Sequence, residues 1–287
     1  MDFIIGLLLG IVALAAFGFQ DFVIAKSSRV MGVFRTSLWF QLVTMATLLG
    51  LSLFLFHYQP VGLLTLAVVM LASFLFMIVM LVFTKGLEIG NVSIVATIAN
   101  SWGAVTAILG VVFLGNMMTG MQAFYIATII AGTVLASLNL RQVFSAGASK
   151  LTTSGIEHAI ATMMLLGIFF FLVSYLTTVI NWFSVSLFIT FFSILFTLVY
   201  CVLTKVEIKP VRKGAGLLIA GGVIGAVAGL AYNLGVTYNY ASIVAPVAAA
   251  SPIVTVVLAL IFMKERLALD QKVGIVLVLA GIVLLAV

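Results

Sequence analysis

Ser93-Ile94-Val95-Ala96 recurs 149 positions later as Ser242-Ile243-Val244-Ala245, and the same shift finds matches along the whole chain. Downstream it lays Val105-Thr106 on Val254-Thr255, Phe113 on Phe262, Ala131-Gly132 on Ala280-Gly281 and Val134-Leu135 on Val283-Leu284. Upstream it lays Gly86 on Gly235 and Gly18 on Gly167. Single matches between apolar stretches arise easily by chance, because few residue types are in use. One register held without a gap from end to end does not, so the chain reads as a duplication.

The composition says what the two copies are made of. Hydrophobic residues are 65% of the 287 and charged residues 7%, against roughly 45–50% and about 25% in soluble domains. So few charges cannot cover a water-facing surface, whereas lipid tails solvate apolar side chains. A bilayer demands that backbone groups be satisfied internally, which leaves helices or closed barrels. The apolar runs approach the ~20 residues that cross the hydrocarbon as a helix, and they lack the alternation of a barrel strand. Ten segments are expected, near 3–25, 36–56, 61–83, 92–114, 121–139, 155–178, 184–204, 214–236, 242–263 and 270–287. The first begins without a basic flank or cleavage site and reads as a mature helix, not a signal peptide.

Five segments per copy is an odd number, so two successive copies enter the membrane from opposite sides. The expectation is an all-α membrane protein of ten transmembrane helices arranged as a 5+5 inverted-topology repeat, with residues 1–145 and 146–287 as the two units of one membrane body. Alternating access around a midplane site is the behaviour such repeats support.

The basic residues set an orientation. Lys26, Arg29, Arg35, Lys85, Arg141, Lys150, Lys205, Lys209, Arg212, Lys213, Lys264, Arg266 and Lys272 all flank odd-numbered connections. The even connections, around His57–Pro60, Gly115-Asn116, Asn181-Trp182 and Tyr238–Tyr240, carry none. Positive residues in short loops stay cytoplasmic. This predicts an integral cell-membrane protein with odd loops inside and both termini outside. The net charge of +6 is scattered among these loops, which suits a membrane surface and gives no nucleic-acid patch.

Three features resemble the EamA-type transporters of the drug/metabolite transporter superfamily. Phe17-Gly18-Phe19-Gln20-Asp21-Phe22-Val23-Ile24-Ala25-Lys26 is similar to the aromatic-Gly…Lys pattern that closes the family's first helix. Ala241-Ser242-Ile243-Val244-Ala245-Pro246 through Ser251-Pro252, and on to Lys264-Glu265-Arg266-Leu267, looks like its ninth helix and following turn. The five-plus-five layout is the third. The resemblance implies a central cavity lined mainly by segments 1, 3, 4, 6, 8 and 9, with segments 5 and 10 peripheral. Two departures stand out: Asn116 occupies the first-half position of the turn glutamate that Glu265 supplies in the second, and many relatives place their termini in the cytoplasm.

Few residues are able to carry chemistry, and each has two readings. An acid within a membrane helix is costly and usually faces the protein interior, so Asp21 either meets substrate or a transported proton, or pairs with Lys26 or Arg29. Gln20 either bonds substrate or bridges helices. Asn100, Ser101 and Trp102, near the middle of segment 4, suit recognition of a small polar or amphipathic solute, or else pack and bond between helices. Their counterparts at the 149 shift are Ala249, Ala250 and Ser251. Pro246 and Pro252 bend segment 9, as a hinge or as a packing deformation. Gly221, Gly225 and Gly229 give segment 8 a small-residue face for close helix approach. Tyr232 and Asn233 at its far end are gate candidates. Lys85 and Glu88 either gate a cavity entrance or form an interfacial ion pair. Glu157 and His158 either relay protons or cap segment 6 at the headgroups.

No catalytic constellation has the needed composition: two histidines, one cysteine (Cys201) and seven carboxylates form neither a metal cluster nor a nucleophile triad. No enzyme activity, cofactor or metal is expected. The partners expected are the bilayer, a small-molecule substrate and protons, with the chain a monomer or homodimer. The leading function is a secondary transporter of a small metabolite or drug-like solute such as an amino acid or amine. The alternative is a passive channel, which would call for a polar stripe along a pore.

Overall fold

The computed structural model describes residues 2–57, 59–90, 92–137, 155–206, 214–263 and 269–286, and their regular structure is helical throughout. The first half contains α1 (Asp2–Met31), α2 (Val33–Leu55), α3 (Leu63–Ile89), α4 (Val92–Asn100), α5 (Trp102–Leu114) and α6 (Gly120–Ser137). The second contains α7 (Ile156–Val179), α8 (Trp182–Leu203), α9 (Ala215–Tyr238), α10 (Ala241–Ala248), α11 (Pro252–Met263) and α12 (Leu269–Ala286). Seven spans are long and apolar enough to cross a membrane, with Val95–Leu114 running through the α4–α5 junction as one of them. Shorter apolar helices cover Gly120–Leu135, Ala241–Thr255 and Lys272–Leu285. Large apolar side chains such as Leu53, Phe54, Leu63, Phe124 and Leu279 face outward, as lipid-facing surface does. The molecule is an all-α, largely membrane-spanning helical bundle. Arg141, Lys150, Lys209, Arg212, Lys213, Lys264, Arg266 and the Glu265 turn lie outside the described residues.

Two expected helices are each in two pieces. Segment 4, expected whole over 92–114, is interrupted at Ser101. The physical cause is local: Asn100 Nδ2 and Ser101 Oγ donate to the carbonyls of Ala96 and Thr97, 2.9 and 3.1 Å away. Side-chain donors that take carbonyls of the preceding turn compete with the backbone ladder, and the Ser101 amide turns instead to Ile98 O at 3.1 Å. Segment 9 is interrupted over Ala249–Ser251, just before Pro252, where the ring excludes a regular turn ahead of it. Pro252 then opens α11, at the one helical position that needs no amide hydrogen. At the other end of the bundle α1 runs on to Met31, past the expected 25, and Gly32, at φ 80°, makes the sharp turn into α2.

Packing between the halves is reciprocal. Thr106 Oγ1 donates to Gly167 O at 3.0 Å, and Thr255 Oγ1 donates to Gly18 O at 3.1 Å. These are one contact made twice, each residue exchanged for its partner 149 positions away. A Cβ on Gly18 would lie 2.6 Å from Val254 Cβ, and one on Gly167 2.4 Å from Val105 Cβ. A Cβ on Gly132 would meet Val278 and Gly274 O; one on Gly281 would meet Ile129 and Tyr125 O, the same two positions shifted. Gly86 against His158 and Gly155 O matches Gly235 against Leu9 and Gly6 O. Self-complementary exchange of this kind is the signature of a two-fold relation between like units. The closest packing consequently runs between halves: α1 on α9, α3 on α7, α5 on α10 and α6 on α12.

Candidate functional site

The interior holds two polar features on either side of α1, and neighbouring residues of that helix serve one each. Gln20 lines a cavity; Asp21 enters a buried network.

The cavity measures about 90 Å³. At ~15 Å³ per water on this scale it holds roughly six waters, enough for a small solute. Its aromatic wall is Phe17, Phe40, Phe76, Phe169 and Phe170. Its hydrogen-bonding groups are Gln20, Gln41, Thr44, Ser186, Thr190 and Asn233, and no charged side chain lines it. Gly225 and Gly229 make the floor thin where α9 passes: a Cβ on Gly225 would sit 2.5 Å from Phe40 and 3.1 Å from Gln20 Oε1, whereas one on Gly229 would meet nothing within 4 Å. Several polar groups are already engaged. Ser193 Oγ donates to Gln41 Oε1 at 2.8 Å, and Asn233 Nδ2 donates to Ser186 Oγ at 2.8 Å. The Gln20 amide makes no hydrogen bond to another described residue, although it lines the cavity. The cavity lies between the middle of the bundle and the even-numbered connections, since Ser186, Asn233 and Leu48 belong to the ends of α8, α9 and α2 that meet those loops.

The network is built on Asn100, whose amide is saturated. Nδ2 donates to Asp21 Oδ2 at 2.8 Å and to Ala96 O; Oδ1 accepts from Ser251 Oγ at 3.0 Å and from Trp102 Nε1 at 3.3 Å. Two donors and two acceptors exhaust an amide, so the residue ties α1 to both helix interruptions. Asp21 is buried, at 4% exposure, and has no cationic partner among the described residues, to none of which its second oxygen is hydrogen-bonded. Pairing with Lys26 or Arg29 is not what holds it: Lys26 is exposed, and Arg29 reaches Gly90 O instead. Behind the cavity wall Trp102 stacks on Phe170, with ring centroids 3.9 Å apart, and meets Phe17 and Tyr232 edge-on. Tyr232 is buried and its hydroxyl bonds Ser174 Oγ at 3.2 Å.

The expected site residues therefore separate. Gln20 and Asn233 are on the cavity wall. Asn100, Trp102, Ser251 and Tyr232 are not: they back it or bind one another, because the interrupted helices bring their polar groups face to face. Ser101 borders a small void of about 10 Å³ with Asn100, Thr133, Pro246 and Ala249. The wall comes from α1, α2, α3, α7, α8 and α9, so segments 2 and 7 replace segments 4 and 9 in the expected lining. Lys85 Nζ meets Glu88 Oε2 at 2.7 Å, with the side chains 46% and 27% exposed, as an interfacial pair would. Glu157 is exposed in the first turn of α7, and His158 packs over Gly86.

Reading residues singly passes over Gln41, Thr44, Ser186 and Thr190. The signal for them is in the repeat: Ser37, Gln41 and Thr44 fall on Ser186, Thr190 and Ser193 at the same shift. Spacings of four and three put each set on one helix face, so segments 2 and 7 each carry a short polar face.

Comparison with known proteins agrees with this architecture. Residues 4–138 and again residues 153–287 match the EamA-like transporter family, and the chain belongs to that family of membrane transporters. The two matches begin 149 residues apart, 153 minus 4. An uncharacterized protein of Methanocaldococcus jannaschii is 49% identical over 47 residues, which is 16% of this chain and 34% of that one. The chain thus matches about a third of that relative's length. A solved crystal structure superposes with a TM-score of 0.74 over 97% of this chain and 95% of its own, at 13% identity. Identity that low shows a common fold.

Proposed function

We propose that this chain is a secondary transporter of a small amphipathic organic solute, an amino acid, amine or similar compound. It works by alternating access between two five-helix halves of opposite insertion, which supply ten transmembrane crossings, and α4–α5 and α10–α11 count as one crossing each. The observation that carries this reading is the cavity: a mid-bundle chamber walled by both halves, with aromatic faces for an apolar body and an unbonded Gln20 amide for a polar end. The reciprocal Gly–Val and Thr–Gly contacts support two halves that exchange roles, and the odd number of crossings per half supports opposite insertion. The basic odd loops support a cytoplasmic location for them.

Gln20, Thr190, Ser186 and Asn233 bind substrate. Asp21 carries the proton, because its carboxyl is the one acidic group in the described membrane interior and lacks a cationic partner there. Uptake of radiolabelled amino acids and amines into proteoliposomes tests both parts. Saturable counterflow that Gln20→Ala weakens supports the site. Flux that rises linearly with concentration, without exchange, points to a passive channel. Accumulation driven by a pH gradient and unchanged in Asp21→Asn removes the proton role and leaves the transporter.

A further inference from the structure

The cavity has a hidden counterpart, found by shifting each wall residue 149 positions. Four pairs map the wall onto itself: Gln20 with Phe169, Phe40 with Ile189, Gln41 with Thr190, and Phe76 with Gly225 are all lining residues. These mark the level at which the two halves meet. The other nine map elsewhere, six of them being Phe170, Ser186, Asn233, Thr44, Leu48 and Gly229, which map to Asp21, Ser37, Thr84, Ser193, Thr197 and Met80. Of these six counterparts Ser193 lies at mid-helix and the others toward the odd-loop ends of their helices, and none of the six is more than 4% exposed.

Ser37 Oγ donates to Thr84 Oγ1 at 3.3 Å, the equivalent of the Asn233–Ser186 bond on the open cavity's wall, so this bond is common to both sides. What closes the shifted set is Gln41. Gln41 clamps α2 to α8 by accepting from Ser193 Oγ at 2.8 Å and donating to Thr197 Oγ1 at 3.4 Å. Its own counterpart, Thr190, faces Thr44 and Leu48 across the open cavity instead. The same set of positions is thus parted toward one face and shut toward the other, in a molecule whose halves are otherwise reciprocal.

We infer that Asp21, Ser37, Thr84, Ser193 and Thr197 line a second, latent cavity that opens toward the odd-numbered loops when the present one closes, and that it presents the Asp21 carboxyl to that face alone. The bonds of Gln41 to Ser193 and Thr197 are the latch that must part, and contact of Thr190 with Thr44 and Leu48 replaces them. The opposite shift has a chemical consequence. Phe170 stands where the latent cavity has Asp21, so a solute meets an aromatic wall from the even side and an acidic one from the odd side. The latent site therefore suits a proton or an organic cation. This rests on the exchanging halves of the proposed function.

Single cysteines test it in a Cys201→Ser background, which removes the native thiol. A membrane-impermeant maleimide is applied to sealed right-side-out and inverted vesicles of the full chain. Ser186→Cys and Gly229→Cys should react from the even-loop face. Ser37→Cys, Thr84→Cys and Asp21→Cys should react only from the odd-loop face. The first two of that trio are nearly isosteric with the native side chains, so they fold even if Asp21→Cys does not. His57→Cys and Thr204→Cys, in an even and an odd connection, report topology independently. If those two react from the same face, the oppositely inserted halves are wrong. If they react from opposite faces but Ser37→Cys and Thr84→Cys stay silent, or react from the even face, the latent cavity alone is overturned. Reaction of Asp21→Cys from the even face overturns its one-sided exposure.

Discussion

Replacing Asn100 by alanine strips both interruptions of their common tie to α1. The amide supplies four hydrogen bonds, of which the one to Ala96 O lies within its own helix. The one from Trp102 comes from two residues along the same span, so the two to Asp21 and Ser251 are those that join separate parts of the bundle. Side-chain hydrogen bonds between membrane helices contribute about 0.6 kcal/mol on average and up to ~1.7 kcal/mol. Two of them amount to roughly 1–3.5 kcal/mol. Ser251→Ala removes a single donor and should cost about 0.6–1.7 kcal/mol. The assay is reversible unfolding in mixed micelles, followed by tryptophan fluorescence, with both variants measured beside the wild type. A loss in Asn100→Ala no greater than that in Ser251→Ala would mean that the two interhelical bonds do not act together, and the argument that one saturated amide ties α1 to both interruptions would fail.

Gly225→Ala drives a methyl into Phe40 and toward Gln20; transport should fall sharply in proteoliposomes, whereas Gly229→Ala, which meets no atom within 4 Å, should retain most of it. Equal loss in both would show that the floor of the cavity is not what limits the solute. Gly18→Ala and Gly167→Ala insert a Cβ into the same reciprocal contact and should destabilise by similar amounts, about 1–3 kcal/mol for overpacking, in the same unfolding assay. A harmless substitution at either one would break the equivalence. Lys85→Ala should change stability by only about 0.5 kcal/mol or less, because a helix-surface ion pair this exposed contributes little. Loss of transport in that variant, with stability kept, would return the pair to a gating role.

The bundle was legible because membrane helices announce themselves by length and apolarity, and the duplication because a constant shift survives even where few residue types are used. Asp21, Asn100 and Gln20 stood out as polar groups in apolar runs, and the structure sets all three inside the bundle, Gln20 on the cavity wall and Asp21 bonded to Asn100. What periodicity does not encode is which neighbour a polar group will find. Asn100 looked equally suited to a solute or to another helix until its partners were visible, and those partners come from residues 21, 102 and 251. The break at Ser101 was hidden for a related reason. No proline marks it, and the side chains that compete with the ladder are common in unbroken helices. The polar faces of α2 and α8 escaped single-residue reading because serine and threonine in a membrane helix usually bond their own backbone; only their recurrence in both copies distinguishes them.

The crossing of partners between halves bears on how the chain assembles. Gly18, Gly132, Gly167 and Gly281 each accommodate a close neighbour from the opposite half, so a translated first half has its tightest grooves facing lipid until the second arrives. Cut at the junction and co-expressed, the two fragments should find each other through those grooves, while either fragment alone should be degraded or aggregate. Continuity of the polypeptide would then serve mainly to hold the ratio of the pieces at one to one.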